Sequence, residues 1–186
     1  MKKSMKSKIK TNKVLQAGMG YTIGNYLLKG INLITLPIFA RLMNKTDYGL
    51  FNIYMSYEGI FVILIGVTLH SSLKNARYEF KNDYRKYVSS IEIVPMIMLA
   101  VALLIVNLFS GSVTQVTGLN LLTLDLLMIH SYCSALLQFY NADLSIDYKY
   151  TSFLKIAFFN TIANVLISLI LMTTVLSSKR YAARIA

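Results

Sequence analysis

Five apolar runs of about 20 residues each constrain the fold of this chain more than any other feature of its sequence. About 20 apolar residues in a helix span the roughly 30 Å hydrocarbon core of a bilayer, whereas a soluble domain needs no run of that length. The runs are continuous and lack the alternation of apolar and polar residues that strands of a β-barrel show. The sequence therefore predicts an all-α, polytopic membrane helix bundle with about five transmembrane helices.

The predicted organisation has three parts: a basic cytoplasmic tail at 1–16, a transmembrane bundle at 17–176 and a shortened external loop at 177–186. Within the bundle, the predicted spans are 17–42, 48–70, 88–109, 119–140 and 153–176. The short stretch "MNKTD" predicts an antiparallel hairpin of the first two spans. The stretch "SGSVTQVTG" predicts an uncharged turn between the third and fourth spans.

The basic residues lie mostly between the apolar runs. The net charge is +11, which on a soluble protein would suggest nucleic acid as a partner. Cytoplasmic loops of membrane proteins are rich in Lys and Arg. With the N-terminus in the cytoplasm, 13 Lys and Arg residues lie inside and five outside. We therefore predict a multi-pass protein with a cytoplasmic N-terminus, with membrane lipids and not nucleic acid as the partner of these charges.

Residue types that carry enzyme or metal chemistry are sparse. The one cysteine, Cys133, lies inside an apolar run and excludes an internal disulfide. The sequence has no Ser-His-Asp set, no His-rich stretch and no ligand spacing around His130. The acids Asp143 and Asp147, beside Lys149, are typical of a solvated face. We expect no enzyme activity, no catalytic residue, no metal and no cofactor.

Three of the spans carry polar side chains at helical spacing, which places them on one stripe of each helix. The stripes contain Tyr21, Asn25, Lys29 and Asn32 in the first span; Asn120, Thr123, His130, Ser134, Gln138 and Asn141 in the fourth; and Asn160, Asn164 and Ser168 in the fifth. Such residues form interhelical hydrogen bonds worth about 0.6 kcal/mol each, or they line a polar cavity. Full-length stripes on three spans favour the cavity. The third span has no polar side chain between Pro95 and Val106 and is expected to face lipid.

Two full charges lie deep in the first two spans. Lys29 comes 15 residues before Asn44, in the hairpin turn, and Glu58 comes 14 residues after it, so equal rise places both at one depth. A Lys at the centre of a bilayer costs about 2.5–3.5 kcal/mol. Two interpretations stay open: an ion pair that fixes the register of the hairpin, or an anion-binding Lys29 that Glu58 holds until substrate arrives.

Several segments resemble one family of membrane proteins. They are "YLLKGINLITLPIFARLMNKTDYGLFNIYMSY", "NARYEF", "YKYTSFLK" and "KRYAARI". The chain resembles Wzx-type bacterial polysaccharide and oligosaccharide flippases of the multidrug/oligosaccharidyl-lipid/polysaccharide exporter superfamily. The resemblance implies a fold of two lobes, each of about six helices, around a central cavity. We expect this chain to be a shortened N-terminal member that forms part of one lobe and ends before a sixth span.

The resemblance implies the flipping of an undecaprenyl-diphosphate-linked oligosaccharide across the bacterial cytoplasmic membrane, for export of O-antigen or capsule. It also implies a polysaccharide polymerase and glycosyltransferases as partners. The candidate substrate-binding residues are Lys29, Asn25, Asn32, Arg77, His130, Asn160 and Asn164. The alternatives are a drug or cation antiporter of the same superfamily, and an inactive or accessory multispan protein.

Overall fold

A computed structural model describes residues 2–174 and 180–185 of the chain, and these residues form helices without any strand. Five helical segments are long and apolar enough to cross a membrane: Val14–Leu42, Lys45–Gly66, Lys81–Leu108, Leu121–Ile146 and Tyr150–Thr173. The prediction of an all-α protein with five transmembrane segments is thereby confirmed.

The helices are numbered in chain order. They are α1 (Lys2–Leu42), α2 (Lys45–Gly66), α3 (Leu73–Glu79), α4 (Tyr84–Ile91), α5 (Ile93–Leu108), α6 (Ser110–Thr117), α7 (Leu121–Ile146), α8 (Tyr150–Thr173) and α9 (Arg180–Ile185). Two short 3₁₀ helices, Leu69–Ser72 and Lys81–Asp83, connect α2, α3 and α4. Of the predicted external loop, residues 177–179 and 186 lie outside the described residues, and the rest forms α9.

The third span is two helices, because a proline interrupts it. Pro95 has no N–H to donate to the carbonyl of Ile91, and its ring crowds that carbonyl, so the helix cannot run through this point. Helix α4 ends at Ile91, and α5 begins at Ile93 with Pro95 in its first turn, where a proline is tolerated. The junction residue, Glu92, is half-buried.

The predicted turn between the third and fourth spans is wrong, because Ser110–Thr117 forms the helix α6. Its hydroxyls bond back to its own turns: Thr114 Oγ1 donates to the Ser110 carbonyl at 2.7 Å. The helix ends at Gly118, whose φ of 69° is the left-handed conformation that glycine adopts at helix ends. The hydroxyls are thus satisfied within the helix, so polar residues that are typical of turns are compatible with α6.

The described residues fall into two compact units. In the first, made of 2–44, 144–174 and 180–184, α1 packs against α8. Gly20 lies against the ring of Tyr150 and Gly24 against Leu154, so chain position rises in the same direction along both helices, which are parallel. A Cβ atom on either glycine would overlap its neighbour. Small residues four apart let two membrane helices approach this closely.

In the second unit, residues 45–143, the core is built from α2, α5 and α7. Its buried side chains are Tyr54, Ile65, Val106, Leu119, Leu124, Leu127 and Met128. On α5, a wide face remains exposed and apolar, with Met96, Ile97, Leu104 and Leu108 among its residues. Because this face carries no polar group that needs water, we expect it to face lipid.

Candidate functional site

The polar stripe of α1 is separate from the face of that helix that packs on α8. Asn25, Lys29 and Asn32 are all exposed in the first unit, whereas Gly24 is buried against α8. The packed face consists of small residues and the open face carries amides and one cation. Helix α1 therefore offers polar groups on a side that α8 leaves uncovered.

Tyr21 does not share the exposure of the other stripe residues. Its side chain is half-buried, and its ring lies 4.9 Å from the ring of Phe153, centroid to centroid. Within the described part of the chain, the Tyr21 hydroxyl is buried and has no hydrogen-bond partner. Tyr21 thus packs against α8, and the open stripe begins one turn later, at Asn25.

Asn160 and Asn164 lie on α8, and both are exposed. The contacts of Gly20 with Tyr150 and Gly24 with Leu154 fix the register of the two parallel helices. Both helices rise by the same distance per residue, so the same register places Lys29 level with Phe159 and Asn160. Within the first unit, one lysine and amides of two helices therefore lie at a similar depth.

Asn164 makes an interhelical hydrogen bond that sequence reasoning missed. Arg184 of α9 donates from Nη1 to Asn164 Oδ1 at 2.5 Å and to Ser168 Oγ at 3.3 Å. The guanidinium carbon of Arg184 lies 4.2 Å from the centre of the Phe39 ring. Burial lowers the pKa of the Arg184 guanidinium. The sequence places Arg184 20 residues from Asn164, so helical spacing gives no signal of this contact.

His130 is joined to Tyr54 in the second unit. The Tyr54 hydroxyl lies 3.0 Å from His130 Nδ1, and the two rings are stacked with their centroids 5.9 Å apart. Tyr54 is completely buried, while the imidazole of His130 is exposed beyond it. Glu58 follows Tyr54 by one turn on α2. Among the described residues, no group of three or more His, Cys, Asp or Glu side chains could hold a metal ion.

Arg77, the predicted residue at the cytoplasmic mouth, lies on α3 and is exposed. Its guanidinium carbon is 4.6 Å from the centre of the Tyr84 ring, within the range of a cation–π contact. The buried Tyr84 donates its hydroxyl proton to Asp143 Oδ1 at 2.8 Å. The loop between α2 and α5 is thereby connected to the end of α7.

The first two members of the predicted stripe on α7 have a local role. Asn120 Oδ1 accepts a hydrogen bond from the Thr123 backbone N–H at 2.8 Å, as an asparagine does at the N-cap of a helix. Thr123 is buried. These two residues lie at the start of α7. His130 and the later residues are therefore the part of that stripe that is available to a ligand.

Seven predicted binding residues are thus distributed over both units. Lys29, Asn25, Asn32, Asn160 and Asn164 belong to the first unit; Arg77 and His130 belong to the second. Because Lys29 and Glu58 lie in different units, their ion pair stays a prediction. The binding roles of all seven residues also stay predictions.

Comparison with protein-family models gives one match, which covers residues 14–186 and is described as polysaccharide biosynthesis protein. No curated protein and no solved structure matches the chain. The matched residues include all five membrane-spanning segments. The resemblance to Wzx-type flippases is confirmed at the level of this family, which includes them. The chain therefore belongs to the polysaccharide biosynthesis protein family, whose members are multi-pass membrane proteins of polysaccharide export.

Proposed function

We propose that this chain takes part in flipping an undecaprenyl-diphosphate-linked oligosaccharide across the bacterial cytoplasmic membrane, with its N-terminus in the cytoplasm. The observation that carries the proposal is the open stripe of Asn25, Lys29 and Asn32 on α1, next to a face packed on α8. Family membership supports a role in polysaccharide export. The stripe supplies the chemistry that such a cargo needs.

The position of Lys29 favours a water-filled surrounding over lipid. Lys29 lies 13 residues before the end of α1 at Leu42, which is about 20 Å along the helix axis. A lysine side chain cannot carry its ammonium over that distance to the membrane surface. Because a charge facing acyl chains costs several kcal/mol, the exposed side of α1 is expected to face a polar cavity.

The chemistry of the stripe matches the two polar parts of the cargo. The ammonium of Lys29 is a compact charge with three donors, which suits a diphosphate. The amides of Asn25 and Asn32 donate and accept hydrogen bonds, as sugar hydroxyls require. The lipid tail needs no protein cavity, because it can stay in the bilayer. A cationic drug would instead meet a repelling Lys29, so the stripe favours an anionic cargo over the antiporter alternative.

The test is transport by the purified protein in proteoliposomes that carry a fluorescent lipid-linked oligosaccharide. Lys29→Ala should slow flipping about 10- to 100-fold, since a hydrogen bond to a charged group contributes about 1.5–3 kcal/mol. Lys29→Arg should keep most of the rate. Lys45→Ala is the matched control, because Lys45 is an exposed lysine at the start of α2. A wild-type flipping rate in the Lys29→Ala variant would show that the stripe does not bind the diphosphate.

A further inference from the structure

A cavity of about 350 Å³ lies in the second unit, between the junction of α4 with α5 and the part of α7 from Tyr132 to Asp143. Its volume is within the range of small-molecule sites, about 300–1,000 Å³. Its walls are Val88, Glu92, Tyr132, Leu136, Phe139, Tyr140 and Asp143. None of the seven predicted binding residues lines it.

The walls combine acceptors with aromatic rings. Glu92 and Asp143 each bring a carboxylate, which accepts hydrogen bonds only. Tyr132, Phe139 and Tyr140 bring three aromatic rings. A pyranose ring has hydroxyl donors around its edge and C–H groups on its faces, so carboxylates and rings together are complementary to a sugar.

The carboxylate of Asp143 is held in place from outside the cavity. Tyr84, which is buried, donates to Asp143 Oδ1 at 2.8 Å, and Arg77 lies over the ring of that same tyrosine. A guanidinium and a carboxylate therefore both contact Tyr84, one at its ring face and one at its hydroxyl.

The charge of the cavity selects against anions. No Lys or Arg is among its lining residues, and the two carboxylates repel phosphate and acidic sugars. The site cannot serve the diphosphate, which we assign to Lys29. It suits an uncharged sugar.

We propose that this cavity binds a neutral sugar residue of the lipid-linked substrate where the substrate enters from the cytoplasmic side. The inference rests on the proposed function for the identity of the cargo. The count of basic residues predicts that the loop that contains α3 and α4 is cytoplasmic, so we expect the cavity to open near the lipid headgroups of the inner leaflet. An oligosaccharide attached to a lipid in that leaflet is presented at this depth.

The experiment measures binding of soluble sugars to the full chain in detergent by saturation-transfer NMR. The probes are the methyl glycosides of N-acetylglucosamine, galactose and rhamnose, with methyl glucuronide as the anionic comparison and tetramethylammonium as the cationic one. At least one neutral glycoside should bind with a Kd of about 1 mM. Methyl glucuronide should bind about tenfold more weakly or not at all, because of the two carboxylates.

Glu92→Gln keeps the volume of the side chain and should weaken the binding of the neutral glycoside about fivefold or more, as expected for the loss of a charged acceptor. Tyr140→Ala is the second variant, because Tyr140 is 48% exposed and its removal should leave the fold intact. Asp83→Asn is the control, since Asp83 is an exposed carboxylate paired with Lys86 and lies outside the cavity.

Three results would overturn the proposal: no binding of any neutral glycoside, binding of tetramethylammonium alone, or glycoside binding that both Glu92→Gln and Tyr140→Ala leave unchanged. The transport assay separates this failure from failure of the proposed function. If flipping depends on Lys29 but no glycoside binds, the sugar-binding role of the cavity is wrong and the proposed flippase function stands. If glycoside binding depends on Glu92 but the wild-type protein does not flip the substrate, the proposed flippase function is wrong and the sugar-binding role of the cavity stands.

Discussion

At the scale of single residues, the polar groups of the spans divide into those that bond to another helix and those that stay open. Tyr54 belongs to the first kind, because its buried hydroxyl meets the imidazole of His130. Lys29 belongs to the second. The helical spacing that identified both His130 and Lys29 could not separate the two kinds, because spacing gives the face of a residue and not what covers that face.

Tyr54→Phe should lower the free energy of unfolding by about 0.6–1.7 kcal/mol, which are the average and the largest value measured for hydrogen bonds between membrane helices. The change removes only the hydroxyl that meets His130 and keeps the ring that fills the core. Unfolding of the purified protein in mixed micelles by denaturant gives the value.

Tyr57→Phe is the matched control, because Tyr57 lies on the same helix, is only half-buried and contacts the ring of Phe61. A double-mutant cycle with His130→Gln isolates the pairwise contribution. Additive effects of Tyr54→Phe and His130→Gln would contradict a direct bond between the two side chains.

At the scale of helices, the contact between α1 and α8 depends on the absence of two side chains. Gly20 and Gly24 are one turn apart and both meet α8, whereas Gly18 and Gly30 of the same helix have open space where a Cβ would be. Identical residues in one helix thus have opposite tolerance to substitution.

Gly24→Leu should destabilise the first unit by about 1–3 kcal/mol, because the added side chain overlaps Leu154 and forces the helices apart. The measurement is disulfide formation between cysteines placed at Gly20 and Tyr150 in a Cys133→Ser background. Crosslinking should fall sharply in the Gly24→Leu variant. The Gly30→Leu variant should crosslink like the parent, and equal loss in both variants would mean that α1 and α8 do not pack through this face.

The helices that could be predicted are those made by long apolar runs, because hydrophobicity over 20 residues outweighs local preferences. Helix α6 could not be predicted, because Ser, Gly and Thr are typical of turns and the sequence does not show that the hydroxyls bond back to carbonyls of the same helix. The break at Glu92 is signalled by Pro95, four residues after the last carbonyl of α4. The cavity at Glu92 could not be predicted from the sequence, because its lining residues are up to 55 positions apart in the chain, from Val88 to Asp143.

At the scale of the whole molecule, the parallel packing of α1 and α8 restricts the topology. Two parallel spans begin on the same side of the membrane, so the segment just before α8 lies on the side of the N-terminal tail. Three membrane-spanning segments lie between them, and an odd number of intervening segments returns the chain to the side on which α1 begins. The count of basic residues predicts the same arrangement and predicts that this side is the cytoplasm.

Single cysteines in a Cys133→Ser background should report this topology in intact cells. Cysteines at Thr11 and Thr151 should both resist a membrane-impermeant thiol reagent, because both lie at the predicted cytoplasmic ends of parallel helices. A cysteine at Ser112 of α6 should react, because α6 is predicted to lie outside and Ser112 is exposed. Labelling of the Thr11 and Thr151 variants from opposite sides would contradict the parallel pair.

The pairing of α1 with α8 also bears on how the protein is made. Tyr150 leaves the ribosome some 130 residues after Gly20, the residue it packs against. At about 5–20 residues per second, the first helix waits roughly 6–25 s in the membrane before its partner is synthesised. During that interval the glycine face of α1 has no α8 to pack against. The nascent first helix therefore needs a temporary binding partner, such as the insertion machinery, until the fifth span is synthesised and takes that place.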